Sequence, residues 1–118
     1  MLRIVVTAAA VLLGSCATYR MPGTQGQAMA RVTADPVVSA GLPVRVVLRR
    51  VDSQRVDSRY ASAEVPAGRH EFLVDCSVAE TGATSRHVIV AELEPGGRYR
   101  FVAIASTRRC ESVVLEPR

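Results

Sequence analysis

Arg69-His70-Glu71-Phe72-Leu73-Val74-Asp75-Cys76-Ser77-Val78 is the stretch that decides the fold class of this 118-residue chain. His70, Phe72, Val74, Cys76 and Val78 share one face, and Glu71, Asp75 and Ser77 fall on the opposite one. Side chains of extended backbone alternate between the two faces of a sheet. This period of two therefore marks a half-buried strand, with Cys76 turned toward a core.

The same signature continues on both sides. Val44-Arg45-Val46-Val47-Leu48-Arg49-Arg50-Val51 is rich in β-branched residues and follows Pro43, which suits the start of a strand. Val51-Asp52-Ser53-Gln54 reads as a turn, with a weaker strand over residues 55–60 behind it. Thr81-Gly82-Ala83-Thr84 breaks the chain, and residues 87–93, 99–105 and 110–115 follow as three more strands. Residues 28–33 add an N-terminal one. Glycine and proline at the joints predict an all-β domain, a small antiparallel β-sandwich of about six to eight strands with Greek-key-like connections.

One motif occurs twice. Val65-Pro66-Ala67-Gly68-Arg69-His70-Glu71-Phe72 matches Glu94-Pro95-Gly96-Gly97-Arg98-Tyr99-Arg100-Phe101 at an offset of 29. In each copy proline presets φ, glycine supplies positive φ cheaply, and a strand follows. Two copies make no solenoid; they mark two equivalent corners of one sandwich. The second corner, Leu93-Glu94-Pro95-Gly96-Gly97-Arg98-Tyr99, resembles the tyrosine corner of Greek-key sandwiches such as fibronectin type III domains. That resemblance implies a Tyr99 hydroxyl bonded back to upstream backbone. The first corner, Val65-Pro66-Ala67-Gly68-Arg69-His70, resembles the proline–glycine–histidine turn of PEGA-type bacterial surface domains, over roughly residues 44–105. It implies an extracytoplasmic β-module attached to other envelope machinery, without catalysis.

The N-terminus bears on location. Met1-Leu2-Arg3 supplies a positive start, and residues 4–13 form an apolar run in which only Thr7 is polar. A helix of that length reaches roughly 15 Å, half of a hydrocarbon core, so it is too short to span and fits a removable export signal. The run ends in Leu13-Gly14-Ser15-Cys16, which resembles the lipobox of bacterial lipoproteins. The resemblance implies cleavage before Cys16 and acylation, palmitate included, of its thiol. An ordinary secretory signal with a coincidental cysteine and a cytosolic N-terminal helix are the competing readings. The expected organisation is a signal peptide at 1–15, a lipidated cysteine and flexible tether at 16–27, and a β-sandwich domain at 28–118. Ala17, rather than aspartate, after the cysteine points to the periplasmic face of the outer membrane in a two-membrane cell.

With Cys16 acylated, Cys76 and Cys110 remain as an even pair in an exported domain, where a disulfide is expected. Closing a loop of about 35 residues contributes roughly 4 kcal/mol in the chain-entropy model. The spacing of Cys76, Cys110, His70 and His87 includes no C-x-x-C or H-x-x-x-H pair, so neither a metal nor another cofactor is expected.

Composition narrows the function. The net charge is +4, and all 15 basic residues are arginine, with no lysine and no tryptophan. The charges are scattered rather than gathered in a stripe with stacking aromatics, so no nucleic-acid partner is expected. His70 and His87 are the ordinary candidates for a base near neutral pH, and each reads better as a satisfied structural histidine. No serine beyond the signal lies in a G-x-S-x-G or S-x-x-K motif, and the carboxylates are dispersed. The chain is read as no enzyme. Arg45, Arg49, Arg55 and Arg59 flank the Asp52 turn and would gather on the solvent side of a hairpin, with Arg50 joining according to register. They form a candidate binding patch for anions, against the alternative of a solvated strand face. The functional expectation is a non-enzymatic, membrane-anchored lipoprotein acting as a structural or accessory interaction module. Its partners would be membrane lipid, through acylated Cys16, and an envelope protein. A periplasmic module handling a small ligand or a metal is the alternative.

Overall fold

The computed structural model describes residues 18–34, 37–39, 42–106 and 108–118. The expected signal peptide and Cys16 lie outside the described residues. Ten strands are present among those described: β1 (Thr18–Arg20), β2 (Met29–Thr33), β3 (Val37–Ser39), β4 (Leu42–Val51), β5 (Gln54–Arg55), β6 (Ser62–Pro66), β7 (Gly68–Val78), β8 (Thr84–Leu93), β9 (Arg98–Ala105) and β10 (Cys110–Pro117). They form two sheets, ordered β1-β6-β2-β9-β10 and β3-β4-β7-β8, with β5 folded back on β4.

The expected all-β sandwich is thus observed, and its core follows from the alternation in β7. His70, Phe72, Val74, Cys76 and Val78 are all buried, while Arg69 and Glu71 are exposed. Phe72 meets Phe101 of the opposite sheet edge to face, with ring centroids 5.5 Å apart and both side chains shut off from water. Burying rings of this size stabilises by about 1.5–3 kcal/mol each. In β4 the inward residues are Val44, Val46, Leu48 and then Val51, which breaks the period of two. A register shift against β7 between Leu48 and Arg50 absorbs the extra residue, and this bulge leaves Arg49 and Arg50 both exposed.

The structure departs from the sequence reading in several places, beginning with ten described strands where six to eight were expected. Residues 18–20, expected in the tether, form β1, which pairs in parallel with β6. Thr18 and Ser62 share a hydroxyl hydrogen bond of 2.8 Å, Tyr19 packs edge-on against Tyr60, and Met21 donates its N–H to the Glu64 carbonyl. The strand expected over 55–60 stops at Arg55. Beyond it Asp57 turns the chain, its carboxylate accepting the Arg59 N–H at 2.9 Å and its carbonyl the Tyr60 N–H at 3.1 Å. Ser62–Pro66, too short to stand out in the sequence, is a strand with Ala63 and Val65 fully buried. The sandwich is also mixed: the β1–β6 and β2–β9 pairings are parallel, and the rest are antiparallel.

Candidate functional site

The two repeated corners are built differently. At the second, Gly97 N–H returns to the Glu94 carbonyl at 2.9 Å, and Gly96 between them has φ +72°, the geometry of a type II turn after Pro95. Tyr99 folds back over the turn, and its hydroxyl accepts the Glu94 N–H at 2.9 Å. The tyrosine corner expected from the sequence is therefore present, at the passage from β8 of one sheet to β9 of the other.

At the first corner His70 is 8% exposed, with Nδ1 2.7 Å from Asp52 Oδ2 and Nε2 against the Pro66 carbonyl. A carbonyl only accepts, so Nε2 donates. Asp52 heads the β4–β5 hairpin with φ +52°, a conformation that aspartate tolerates. It also takes the Glu71 N–H at 3.0 Å and gives its own N–H to the Glu71 carbonyl. Burial pushes the Asp52 carboxyl up, but the Glu71 N–H and His70 outweigh it and hold the group below its ordinary value. Both imidazole nitrogens are engaged, so His70 latches the hairpin to the corner.

The second histidine sits beside the disulfide. Cys76 and Cys110 are bonded, with Cα atoms 6.0 Å apart, and join β7 to β10 across the two sheets. On neighbouring β8, Ser85 Oγ lies 2.7 Å from His87 Nε2 and 3.2 Å from the Cys110 carbonyl. The hydroxyl has one proton, and the carbonyl needs it. When both bonds form, His87 is therefore the donor, the wrong polarity for activating a serine nucleophile.

The four arginines of the candidate patch separate into two groups. Arg49 and Arg55 line an open concavity of about 330 Å³ together with Arg50, Asp57 and Arg86. Arg50 and Arg55 stand directly opposite each other in the β4–β5 register. Arg49 and Arg86 both reach Asp75, at 3.4 and 2.9 Å, and that bond raises the Arg86 guanidinium further above its usual value. Like charges set opposite each other in a ladder are unfavourable, and an anion bound between them relieves the repulsion. Arg45 and Arg59 instead line a separate groove of about 600 Å³ with Val44, Tyr60, Ala61 and Ser77. Arg59 stacks 4.9 Å over the Tyr60 ring and donates to its hydroxyl at 2.9 Å. The four arginines thus line two concavities that meet at Ser58 of the Asp57 turn. Arg86, absent from the sequence reading, is brought in by the β7–β8 register, which sets it opposite Asp75. No local pattern around residue 86 signals this.

Among the described residues, no group of three or more histidine, cysteine, aspartate or glutamate side chains is placed to hold a metal ion. In comparisons with known proteins, no family model, no curated protein and no solved structure matches this chain.

Proposed function

We propose that this chain is a non-enzymatic lipoprotein of the cell envelope. It would be anchored by acylated Cys16 at the periplasmic face of the outer membrane, with the β-sandwich as a structural or accessory interaction module. The carrying observation is Leu13-Gly14-Ser15-Cys16 closing a charged and then apolar start. The Cys76–Cys110 bond supports export, because such bonds persist in oxidising compartments.

The fold sharpens this reading. Thr18 belongs to the sheet, so only Ala17 separates the acylated residue from β1. Two residues span at most about 7 Å, so the domain is held close against the headgroups rather than standing off on a long tether. Parallel pairing of Thr18 with Ser62 puts the incoming chain at the Tyr60–Ala61 end of β6. Tyr19, Arg59 and Tyr60 gather there, residue types that suit a membrane–water boundary. The arginine-lined concavity lies beyond the Asp57 turn and is the surface offered to an anionic envelope partner. A small-ligand module is the second reading, favoured by the groove beside Tyr60.

Metabolic labelling with a palmitate analogue tests the anchor. Wild-type protein should be tagged, and Cys16→Ser should leave an untagged precursor or a soluble form; equal labelling of both overturns the reading. Crosslinking in intact cells tests the interaction module. A ligand co-purifying with the wild-type protein would shift the choice to the alternative.

A further inference from the structure

We infer that β8 is a self-association edge that joins two copies of this chain into one continuous sheet. The inference rests on β8 alone and does not require the lipid anchor. Sheet edges expose unpaired N–H and C=O groups, and proteins blunt them with short strands, bulges, proline or charge. Among the described residues, three of the four outermost strands are blunted by shortness, bulge or proline. β1 and β3 are three residues each, and β10 carries a bulge between Cys110 and Ser112 and ends on Pro117. β8 is ten residues long, pairs with β7 without interruption and contains no proline.

Its free groups can be assigned. Val78 donates its N–H to the Ala83 carbonyl at 3.0 Å where the β7–β8 hairpin opens. Counting along the ladder from there, the odd-numbered residues of β8 turn their backbone to β7. Arg86, Val88, Val90 and Glu92 therefore direct N–H and C=O to the open edge. Their side chains cover the outer face of the sheet, where Val88 is 58% and Val90 51% exposed. Among the large hydrophobic side chains of the described residues, these two are the most exposed.

The sequence of this edge is self-complementary about Ile89. Antiparallel pairing of two copies with Ile89 opposite Ile89 sets Val88 against Val90 of the second copy, and Arg86 against its Glu92. The two-fold axis repeats both pairs, so four valines meet in one patch with an ion pair at each end. Arg86 binds Asp75 through Nε, which leaves its two terminal nitrogens for the second copy's carboxylate. On the inner face the two Ile89 residues form a close, non-hydrogen-bonded pair with Cα atoms about 4.5 Å apart.

Cysteine crosslinking in membranes containing the full chain tests the register. Ile89→Cys should give a covalent dimer on mild oxidation, and Thr84→Cys, far from its own copy in this pairing, should not. In detergent, Glu92→Arg should weaken the dimer about tenfold, by setting like charges opposite at both ends. Adding Arg86→Glu should restore it. Correct Cys76–Cys110 linkage in each variant shows that the domain has folded. The proposal is overturned by a monomeric wild type, by a dimer indifferent to Glu92→Arg, by equal crosslinking at Thr84→Cys, or by an Ile89→Cys crosslink to a different polypeptide.

Discussion

The hydroxyl of Tyr99 accepts the N–H of Glu94, five residues upstream, while the tyrosine ring lies directly over Gly97. A Cβ at Gly97 would stand 2.6 Å from Tyr99 Cε2 and 2.7 Å from the hydroxyl oxygen, so the glycine is required by the tyrosine rather than by its own φ. Ring, hydrogen bond and turn form one unit. That unit is tied to β2 through Gly96 N–H to the Met29 carbonyl and Arg31 N–H to the Gly97 carbonyl.

Tyr99→Phe should therefore cost about 1 kcal/mol, the net value of one hydrogen bond at a partly exposed corner. Gly97→Ala should cost more, because it displaces the ring as well. Since both act on the same contact, the double variant should be less destabilised than the sum of the two, as read from urea unfolding midpoints. Strict additivity would show that ring and turn are independent.

Breaking the disulfide should lower the melting temperature clearly. It closes a 34-residue separation and joins the two sheets at Cys76, which is fully buried. Cys110→Ser should cost about 2–4 kcal/mol by thermal or denaturant unfolding. Reductant should shift the wild type toward the variant and leave the variant unmoved.

Two carboxylates make stability acid-sensitive. Asp52 is held low as described, and Glu64 is held low first by its bond from Arg31 at 2.7 Å, against partial burial, with the Arg31 and Arg20 charges adding. A depressed folded-state value contributes stability that is full above the ordinary carboxylate range. That contribution is lost as pH falls through the folded value. Unfolding midpoints should thus drop on acidification below about pH 4. Asp52→Asn should flatten that fall while reducing stability at neutral pH. An unchanged acid limb would mean that the hairpin latch does not contribute.

The arginine concavity and the Tyr60 groove should separate functionally. Arg50→Gln with Arg55→Gln should weaken binding to peptidoglycan, the anionic polymer on that face, several-fold and reduce its salt dependence, because exposed charges are screened within about 8 Å at physiological salt. Arg45→Gln, in the other groove, should leave that binding unchanged. Titration at two ionic strengths decides it. Equal loss from both changes would show that net charge alone attracts the polymer.

Much of the fold was legible because alternation is a local property. The inward row of β7, the strand at Val44, and the glycines of the Tyr99 corner follow from backbone geometry and from nearest neighbours along the chain. The disulfide was legible on the expectation that Cys16 carries lipid, since two remaining cysteines allow one pairing. Sheet order, parallel pairing and side-chain neighbourhood were not, because they depend on contacts between segments far apart in sequence. Thr18–Arg20 carries no apolar period and becomes a strand only because β6 offers a free edge. Arg86 enters the arginine concavity because the register sets β8 against β7 and, through it, near β4. Local pattern determined which residues face inward; tertiary pairing decided which outward-facing residues stand side by side, because only closure of the two sheets brings distant strands within reach of one another.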